Sequence, residues 1–484
     1  MSVRVRIAPS PTGYLHVGTA RAALYNYLFA RHHNGVFILR SDDTDTERST
    51  QEFSDDIVAS MRWLGLEWDE GIIVGGPHET YRQSERLGRY QEVAAGLVEA
   101  GKAYYSFATP EQLETFRNEA RREGMSPAYD GRYKVSPAEA EERLRTGESA
   151  TVRFAVPRPG ETVFEDVVRD EVRFDHVQVD DFVILRSNGT PTYHLASTVD
   201  DVDFEITHVI RGEDLLSSTP KHILLTEAMG AEPPTYAHLP LLMGPDGKKL
   251  SKRHGHTALA AYRDAGYLAD AVVNYLALLG WNPGDDDTVV DRAAMIERFE
   301  LDRVSKNPAI FDAVKLEWMN GVYIRGMNAD AFIATVTPLV EEDLGRALTA
   351  DERAVLAEMA PLVQERAKKL TEIAPQMRFL FAEISYDETS WQKVMAKPDA
   401  GRAIRSAREV LARLDDFSTN SVEHALRGML ETEGLNPRKG FQPLRVALSG
   451  SSVSPPLFES VAALGKDRTL ARLDAAAVAI DAAS

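Results

Sequence analysis

Residues 3–7, VRVRI, alternate apolar and charged side chains, the two-residue period of a half-buried strand with Arg4 and Arg6 opposite Val3, Val5 and Ile7. A turn follows at 8–21, APSPTGYLHVGTAR, rich in proline and glycine. From Thr19 the period becomes helical through Ala20, Ala23, Leu24, Tyr27 and Leu28, which puts Gly18 and Thr19 at a helix start. VFILR at 36–40 is a short apolar run read as a buried strand, and Phe53, Ile57, Met61 and Leu64 recur at helical spacing. Strand, helix, strand, helix predicts a parallel sheet covered on both faces.

Between 100 and 180 the texture changes to charged helical stretches, EQLETFRNEARREG and SPAEAEERLRTG, and to a strand-like stretch from Thr151 to Phe174, which together read as an inserted domain. The sheet pattern resumes with DFVILRS (181–187) and ITHVIRG (206–212), then a helix after Pro220 and an apolar run before PDGKKLSKRHG. Beyond about 256 the chain reads almost entirely helical, without internal repeats.

At 484 residues the chain needs several folding units. With 44% hydrophobic and 27% charged residues it is ordinary for a soluble protein, and no segment approaches the roughly 20 apolar residues of a membrane span. MSVRVRIAPSPTG lacks the apolar core of a secretory signal, so a cytoplasmic protein with no membrane role is expected. Zero cysteines exclude disulfides, thiolate chemistry and cysteine-held zinc, while sites built from His and carboxylates stay open. The net charge of −19 argues against a polyanionic partner, but weakly: residues 331–484 hold 19 basic and 22 acidic side chains and are nearly neutral. Basic groups cluster there in ERAKKL (365–370) and in Arg402, Arg405 and Arg408, whose spacing sets them along one side of a helix as either an RNA-facing or a solvated face.

Two segments carry chemistry. A strand feeding a glycine turn into a helix start offers backbone N–H groups and the positive end of a helix dipole to an anion. His16 in that turn is either a phosphate donor or a structural loop residue. GPDGKKLSKRHG (244–255) makes a turn at Pro245, Asp246 and Gly247 followed by Lys248, Lys249, Lys252 and Arg253: a solvated basic loop, or a mobile clamp for a triphosphate.

Taken together, these segments resemble a known family. HVGT (16–19) looks like the HIGH signature and KLSKR (249–253) like the KMSKS signature of class I aminoacyl-tRNA synthetases. RIAPSPTGYLHVGTAR, LRSDDTDTERS, YRQSERLGRY, YDGRY, PTYHL, HVIRGEDLLSSTP, GKKLSKRHG and GYLADAVVNYLALLGW resemble bacterial glutamyl-tRNA synthetases, in the expected order. The resemblance implies an α/β, Rossmann-type parallel-sheet catalytic domain with an α+β insertion, followed by an all-α C-terminal half. It divides the chain into a catalytic domain at 1–99 and 181–255, an acceptor-end-binding insertion at 100–180, a stem-contact helical domain at 256–325 and an all-helical anticodon-binding domain at 326–484.

It implies a glutamate–tRNA ligase that activates L-glutamate with ATP and Mg2+ and charges tRNA(Glu), with tRNA(Gln) as a further acceptor and a monomer as the expected state. By resemblance His16, Lys249 and Lys252 are catalytic, and Thr12, Gly18, Thr19, Leu250, Ser251 and Arg253 complete the ATP site. Arg6 and Arg211 match positions that hold substrate carboxylates, with Ser10, Asp42, Tyr193 and Ser197 beside them. In Arg40-Ser41-Asp42-Asp43-Thr44-Asp45 the acidic residue facing the substrate ammonium is one methylene shorter than the family's usual glutamate, and Ser197 stands where some members carry asparagine. The insertion has no cysteines for the zinc that some relatives carry, so no zinc is expected. Gln364 falls where an arginine in some relatives discriminates between anticodons. The alternatives are a glutaminyl-tRNA synthetase and a tRNA-independent HIGH-type adenylating enzyme.

Overall fold

The computed structural model describes residues 2–251, 253, 255–284 and 286–483. The chain forms two compact units, one of residues 1–263 and 272–313, the other of 264–271 and 314–484. The expected stem-contact segment 256–325 is therefore divided between them. A physical reason lies in the first helix, where Arg21 and Tyr25 donate to backbone carbonyls at Ala277 and Leu279 and draw that stretch into the first unit.

The first unit opens with β1 (Arg4–Ile7), α1 (Val17–His32), β2 (Val36–Leu39), α2 (Gln51–Trp63), β3 (Glu70–Gly71) and α3 (Leu87–Glu99). It continues through β4 (Ala103–Ser106), α4 (Pro110–Arg122), α5 (Pro137–Arg145), β5 (Thr151–Phe154), β6 (Glu161–Asp166), β7 (Asp170–Asp175) and β8 (Val183–Leu185). Next come α6 (Tyr193–Asp203), β9 (His208–Gly212), α7 (Thr219–Ala228), β10 (Thr235–Leu239) and β11 (Leu242–Met243).

Seven strands form the main sheet in the order β3-β2-β1-β9-β10-β6-β7, parallel except for the β6–β7 hairpin. Phe37, Ile38 and Leu39 of β2 are fully buried, as a strand covered on both faces requires. β1 departs from the half-buried reading: its alternation leaves Arg6 only 4% exposed, because the opposite face is covered too and an ion pair replaces solvent.

Two strands change places relative to the sequence reading. β6 and β7, expected in the insertion, extend the main sheet, whereas β8, expected to resume it, pairs antiparallel with β5 in a three-stranded sheet of β4, β5 and β8. A bridge from Tyr236 to Asp166 holds β6 against β10. The region after 256 is not wholly helical either, since Ala309–Ile310 pairs in parallel with β11.

The second unit is helical. Its helices at 313–326, 329–344 and 350–364 close around Phe332, Val336, Leu356, Met359 and Met377, and those at 400–412, 419–433, 437–449, 457–464 and 466–483 around Ile404, Val422, Leu426, Leu444 and Leu473. The basic face predicted there is neutralised: Arg402 pairs with Asp399, Arg405 with Asp481 and Arg408 with Asp474. These are exposed pairs, so they fix little stability, but they leave that face without a run of uncompensated positive charge.

Candidate active site

β1 and β9 are neighbours, and Arg6 and Arg211 stand near the C-terminal ends of both, the edge at which open parallel sheets bind ligands. A cavity of about 500 Å³ lies there. The first turn of α1 borders it with His16, Gly18 and Thr19, α6 with Tyr193 and Ser197, and the segment after β11 with Lys249 and Leu250. Arg6, Ser10, Asp42 and Arg211 complete the residues read from sequence that it brings together.

The first motif segment is joined to the chain that follows the second. Val17 N–H donates to Thr257 O at 2.9 Å and Leu259 N–H to Leu15 O at 2.8 Å, so the chain just beyond the lysine loop is stitched to the turn that enters α1. The loop itself is a hairpin, with Leu250 N–H bonded to Leu242 O, Gly244 N–H to Lys248 O, and Gly247 at φ 70°, a left-handed conformation that favours glycine.

His16 corrects the sequence reading in one respect. The helix starts at Val17, so His16 is its N-cap and not a residue three positions ahead of it; its Nδ1 accepts the Gly18 N–H at 3.0 Å. That bond places the imidazole proton on Nε2, the nitrogen left to donate elsewhere. Burial, reinforced by the charge of Lys249, lowers the pKa of His16 and keeps it neutral. With Val17 and Gly18 N–H already engaged, only Thr19 of the first three helical N–H groups has no protein partner among the described residues. The anion site thus rests on the His16 imidazole, the helix dipole and nearby cations more than on free backbone donors. One of those cations went unread in sequence: Arg21, buried on α1, borders the cavity and donates only to carbonyl oxygens.

Lys249 Nζ lies 3.0 Å from Asp214, both largely exposed. Lys252 lies outside the described residues. Thr12, Ser251 and Arg253 do not border the cavity, and Arg253 lies 3.2 Å from Asp246.

The amino-acid half of the cavity holds a tight set of charges. Arg6 forks onto Asp201 at 2.9 and 3.0 Å. Arg40, with no solvent exposure, gives Nε and Nη2 to Asp42 at 2.6 and 3.1 Å, Nη1 to Asp201 at 2.7 Å, and a further Nη2 bond to Ser197 Oγ at 3.0 Å. Asp200, beside them, is taken by Gln83, Arg86 and Tyr90. Burial pushes the Asp42 carboxyl up to about 6 despite the pull of Arg40.

Arg211 differs. Its Nε donates to His238 Nε2, its Nη1 to Tyr193 Oη and His222 Nδ1, and its Nη2 to Thr219 Oγ1 and Leu215 O, at 2.8 to 3.3 Å. Every N–H of the guanidinium meets an uncharged acceptor, and no carboxylate pairs with it among the described residues. Burial holds both histidines below their ordinary pKa, His222 strongly so.

Sequence reasoning missed Asp200, Asp201, Asp166 and His238. A signal existed for two of them: Tyr193, Ser197, Asp200 and Asp201 follow helical spacing and fall on one face of α6. Gln364, read as an anticodon contact, is 8% exposed, and its amide nitrogen donates to Ile324 O and Met327 O. Both N–H groups therefore close the end of the helix at 313–326.

Comparison with known proteins agrees with this arrangement. Residues 2–318 match the family described as tRNA synthetases class I (E and Q), catalytic domain, and residues 331–477 match an anticodon binding domain. The chain is 44% identical over 479 residues to a glutamate–tRNA ligase of Moorella thermoacetica, covering 98% of each protein. It is 44% identical to glutamate–tRNA ligase 1 of Caldanaerobacter subterraneus subsp. tengcongensis, over 98% of this chain and 97% of that one. A crystal structure of a glutamate tRNA ligase from Elizabethkingia meningosepticum in complex with its amino acid superposes with a TM-score of 0.85 at 34% identity, over 99% of this chain and 100% of that one. The chain belongs to the class I tRNA synthetases of the glutamate and glutamine type, and within them to the bacterial glutamate–tRNA ligases.

Proposed function

We propose that this protein activates L-glutamate with ATP and transfers it to the 3′ end of tRNA(Glu), acting as a cytoplasmic monomer. The observation that carries this reading is the charge pattern of the cavity. Arg6, Arg40, Asp42 and Asp201 form a neutral quartet, and Arg211 beside them adds one uncompensated positive charge. Glutamate, with two carboxylates and one ammonium, carries one net negative charge and complements that pocket. Asp42 receives the ammonium. Arg211 receives a carboxylate, which displaces the longer bonds to Tyr193 Oη and Leu215 O, at 3.2 and 3.3 Å. Arg6 contributes through Nη1, the nitrogen outside its fork onto Asp201.

ATP lies along the first turn of α1. His16 Nε2–H donates to a phosphate oxygen, Thr19 N–H and the helix dipole add to that attraction, and Arg21 supplies a fixed positive field. The glutamate α-carboxylate oxygen attacks the α-phosphorus, forming the P–O bond of glutamyl-adenylate as the bond to pyrophosphate breaks. Lys249, on releasing Asp214, and Lys252 stabilise the charge that gathers on the departing pyrophosphate. The ribose hydroxyl of the tRNA end then attacks the acyl carbon and AMP leaves. No protein nucleophile is required.

Among the described residues the carboxylates bordering the cavity are Asp42 and Asp214, each already beside a cation, so the cavity lining offers no cage of its own for a metal. That donor set fits a Mg2+ that arrives held by phosphates and water. The region around 100–180 is assigned to the acceptor end and 326–484 to the anticodon. Aminoacylation of tRNA(Glu) and tRNA(Gln) side by side with glutamate and ATP tests the function and its breadth: charging of tRNA(Glu) is expected, with tRNA(Gln) as a second acceptor. Charging of neither with glutamate overturns the reading.

A further inference from the structure

Behind Arg211 lies a second layer of polar groups that plays no part in the reaction above. His238 on β10 is fully buried, with Nδ1 2.6 Å from Asp166 Oδ2. Asp166 also accepts backbone N–H bonds from Val168, Arg169 and His238, and although burial opposes its ionisation, the bonds from His238 prevail and hold its pKa below the ordinary carboxylate range. An ionised Asp166 accepts only, so His238 donates from Nδ1 and presents a lone pair at Nε2.

Two donors converge on that lone pair: Arg211 Nε at 3.1 Å and the Thr219 hydroxyl at 3.1 Å. Thr219 in turn accepts from Arg211 Nη2 at 2.8 Å, which closes a ring of hydrogen bonds around the inner edge of the guanidinium. Both arms of the ring run from Arg211 to His238, one directly from Nε and one from Nη2 through the Thr219 hydroxyl. Were His238 to carry its proton on Nε2, that proton would face the Arg211 N–H and the ring would open.

From this geometry we infer that Asp166 and His238 are positioning residues for Arg211, a carboxylate–imidazole–guanidinium chain that fixes the plane of the fork at the cavity edge. The chain also explains an oddity of topology. β6, which the sequence pattern assigns to the insertion, crosses back to pair with β10, and the residue it places at that junction is Asp166. The partner is a carboxylate one step removed from the cation, so it orients Arg211 without neutralising it at contact distance. An aspartate touching Arg211 directly would compete with the substrate. The arrangement parallels the carboxylates that orient metal-bound imidazoles from outside the coordination sphere.

The inference rests on Arg211 being the carboxylate grip, and the test separates the two claims. Full-length Asp166→Ala, Asp166→Asn, His238→Phe, Arg211→Ala and the Asp166→Ala/Arg211→Ala double variant are assayed for tRNA(Glu) aminoacylation, with glutamate and ATP varied independently and a melting temperature taken for each. Asp166→Ala is expected to raise the glutamate KM about ten- to a hundredfold, the range that loss of such an outer partner produces at metal-bound imidazoles, with the ATP KM little changed. Asp166→Asn, whose amide oxygen still accepts from His238, recovers most of that loss. His238→Phe keeps a ring stacked on Tyr236 but has no acceptor, and raises the glutamate KM like Asp166→Ala.

In the double variant the Asp166 change adds nothing to the effect of Arg211→Ala on glutamate, because what it positions is gone. An unchanged glutamate KM in Asp166→Ala or His238→Phe, equal rises for glutamate and ATP, or independent multiplication in the double variant each overturn the positioning role. If Asp166→Ala does not fold, Asp166→Asn and His238→Phe decide by the same criterion. An unchanged glutamate KM in Arg211→Ala instead removes the carboxylate grip itself.

Discussion

Arg6 and Arg211 leave adjacent strands at the same edge of one sheet, yet their surroundings are opposite. Arg6 is locked into Asp201 by a two-pronged ion pair and belongs to a neutral quartet with Arg40 and Asp42. Arg211 is held by a tyrosine, a threonine, a carbonyl and two histidines that burial keeps uncharged. The difference separates two uses of a buried cation. One has its charge already cancelled and keeps only Nη1 for the substrate; the other is kept in place by hydrogen bonds while its charge waits for a ligand.

That contrast breaks most visibly in stability. Arg6→Ala leaves Asp201 buried with a single remaining partner, and the unfolding free energy in urea should fall by about 3–5 kcal/mol. A loss under about 1 kcal/mol would show that the quartet is not the anchor described. Arg211→Ala breaks no internal ion pair; its melting temperature should move little while kcat/KM for glutamate drops about 100- to 1,000-fold. Equal destabilisation by both substitutions would erase the distinction.

Lys249 extends the comparison to the nucleotide half. Its pair with Asp214 is exposed, so Lys249→Ala should change stability by no more than about 1 kcal/mol. Its tRNA-dependent ATP–pyrophosphate exchange should nonetheless slow by about tenfold or more, with the glutamate KM unaltered. A variant that exchanges at the parent rate would take Lys249 out of the transition state.

The smallest effect is one of pH. Burial raises the Asp42 carboxyl to about 6, so it is ionised and able to hold an ammonium above that value and neutral below it. Because the folded-state value of about 6 exceeds the ordinary aspartate value of 3.8, the ionised group costs stability in full above pH 6, and that cost shrinks as pH falls from 6 and is gone below 3.8. Burial holds the histidines at Arg211 below the ordinary histidine value. Glutamate kcat/KM should therefore fall by up to about tenfold per pH unit below 6, with the fall assigned to Asp42 by its loss in Asp42→Asn. A profile flat to pH 5 would contradict this.

Much of the site was legible in sequence because its parts sit in compact segments. The turn at 8–21 and the loop at 244–255 announce themselves by composition, and the structure stitches the first to the chain that follows the second through Val17 and Leu259. The burial of Arg6 was not legible, since alternation in β1 says nothing of a second covered face. Nor was the exchange of β6 and β8 between sheets, because a strand's period reveals its faces but not its partner. Asp201, Asp166 and His238 were hidden for a related reason: their importance lies in partners brought from 27 to 195 positions away. Nor were the bonds of Gln364 legible, because its amide N–H groups serve the end of a helix about 40 positions earlier.

The charge balance of the cavity is most directly tested by comparing kcat/KM for glutamate and for glutamine in charging tRNA(Glu) with the unaltered protein. A pocket with one surplus positive charge should favour glutamate by about 10⁴-fold or more, because glutamine brings no second carboxylate to Arg211. Charging with glutamine within about tenfold of glutamate would contradict the account, since Arg211 would then have no anion to wait for.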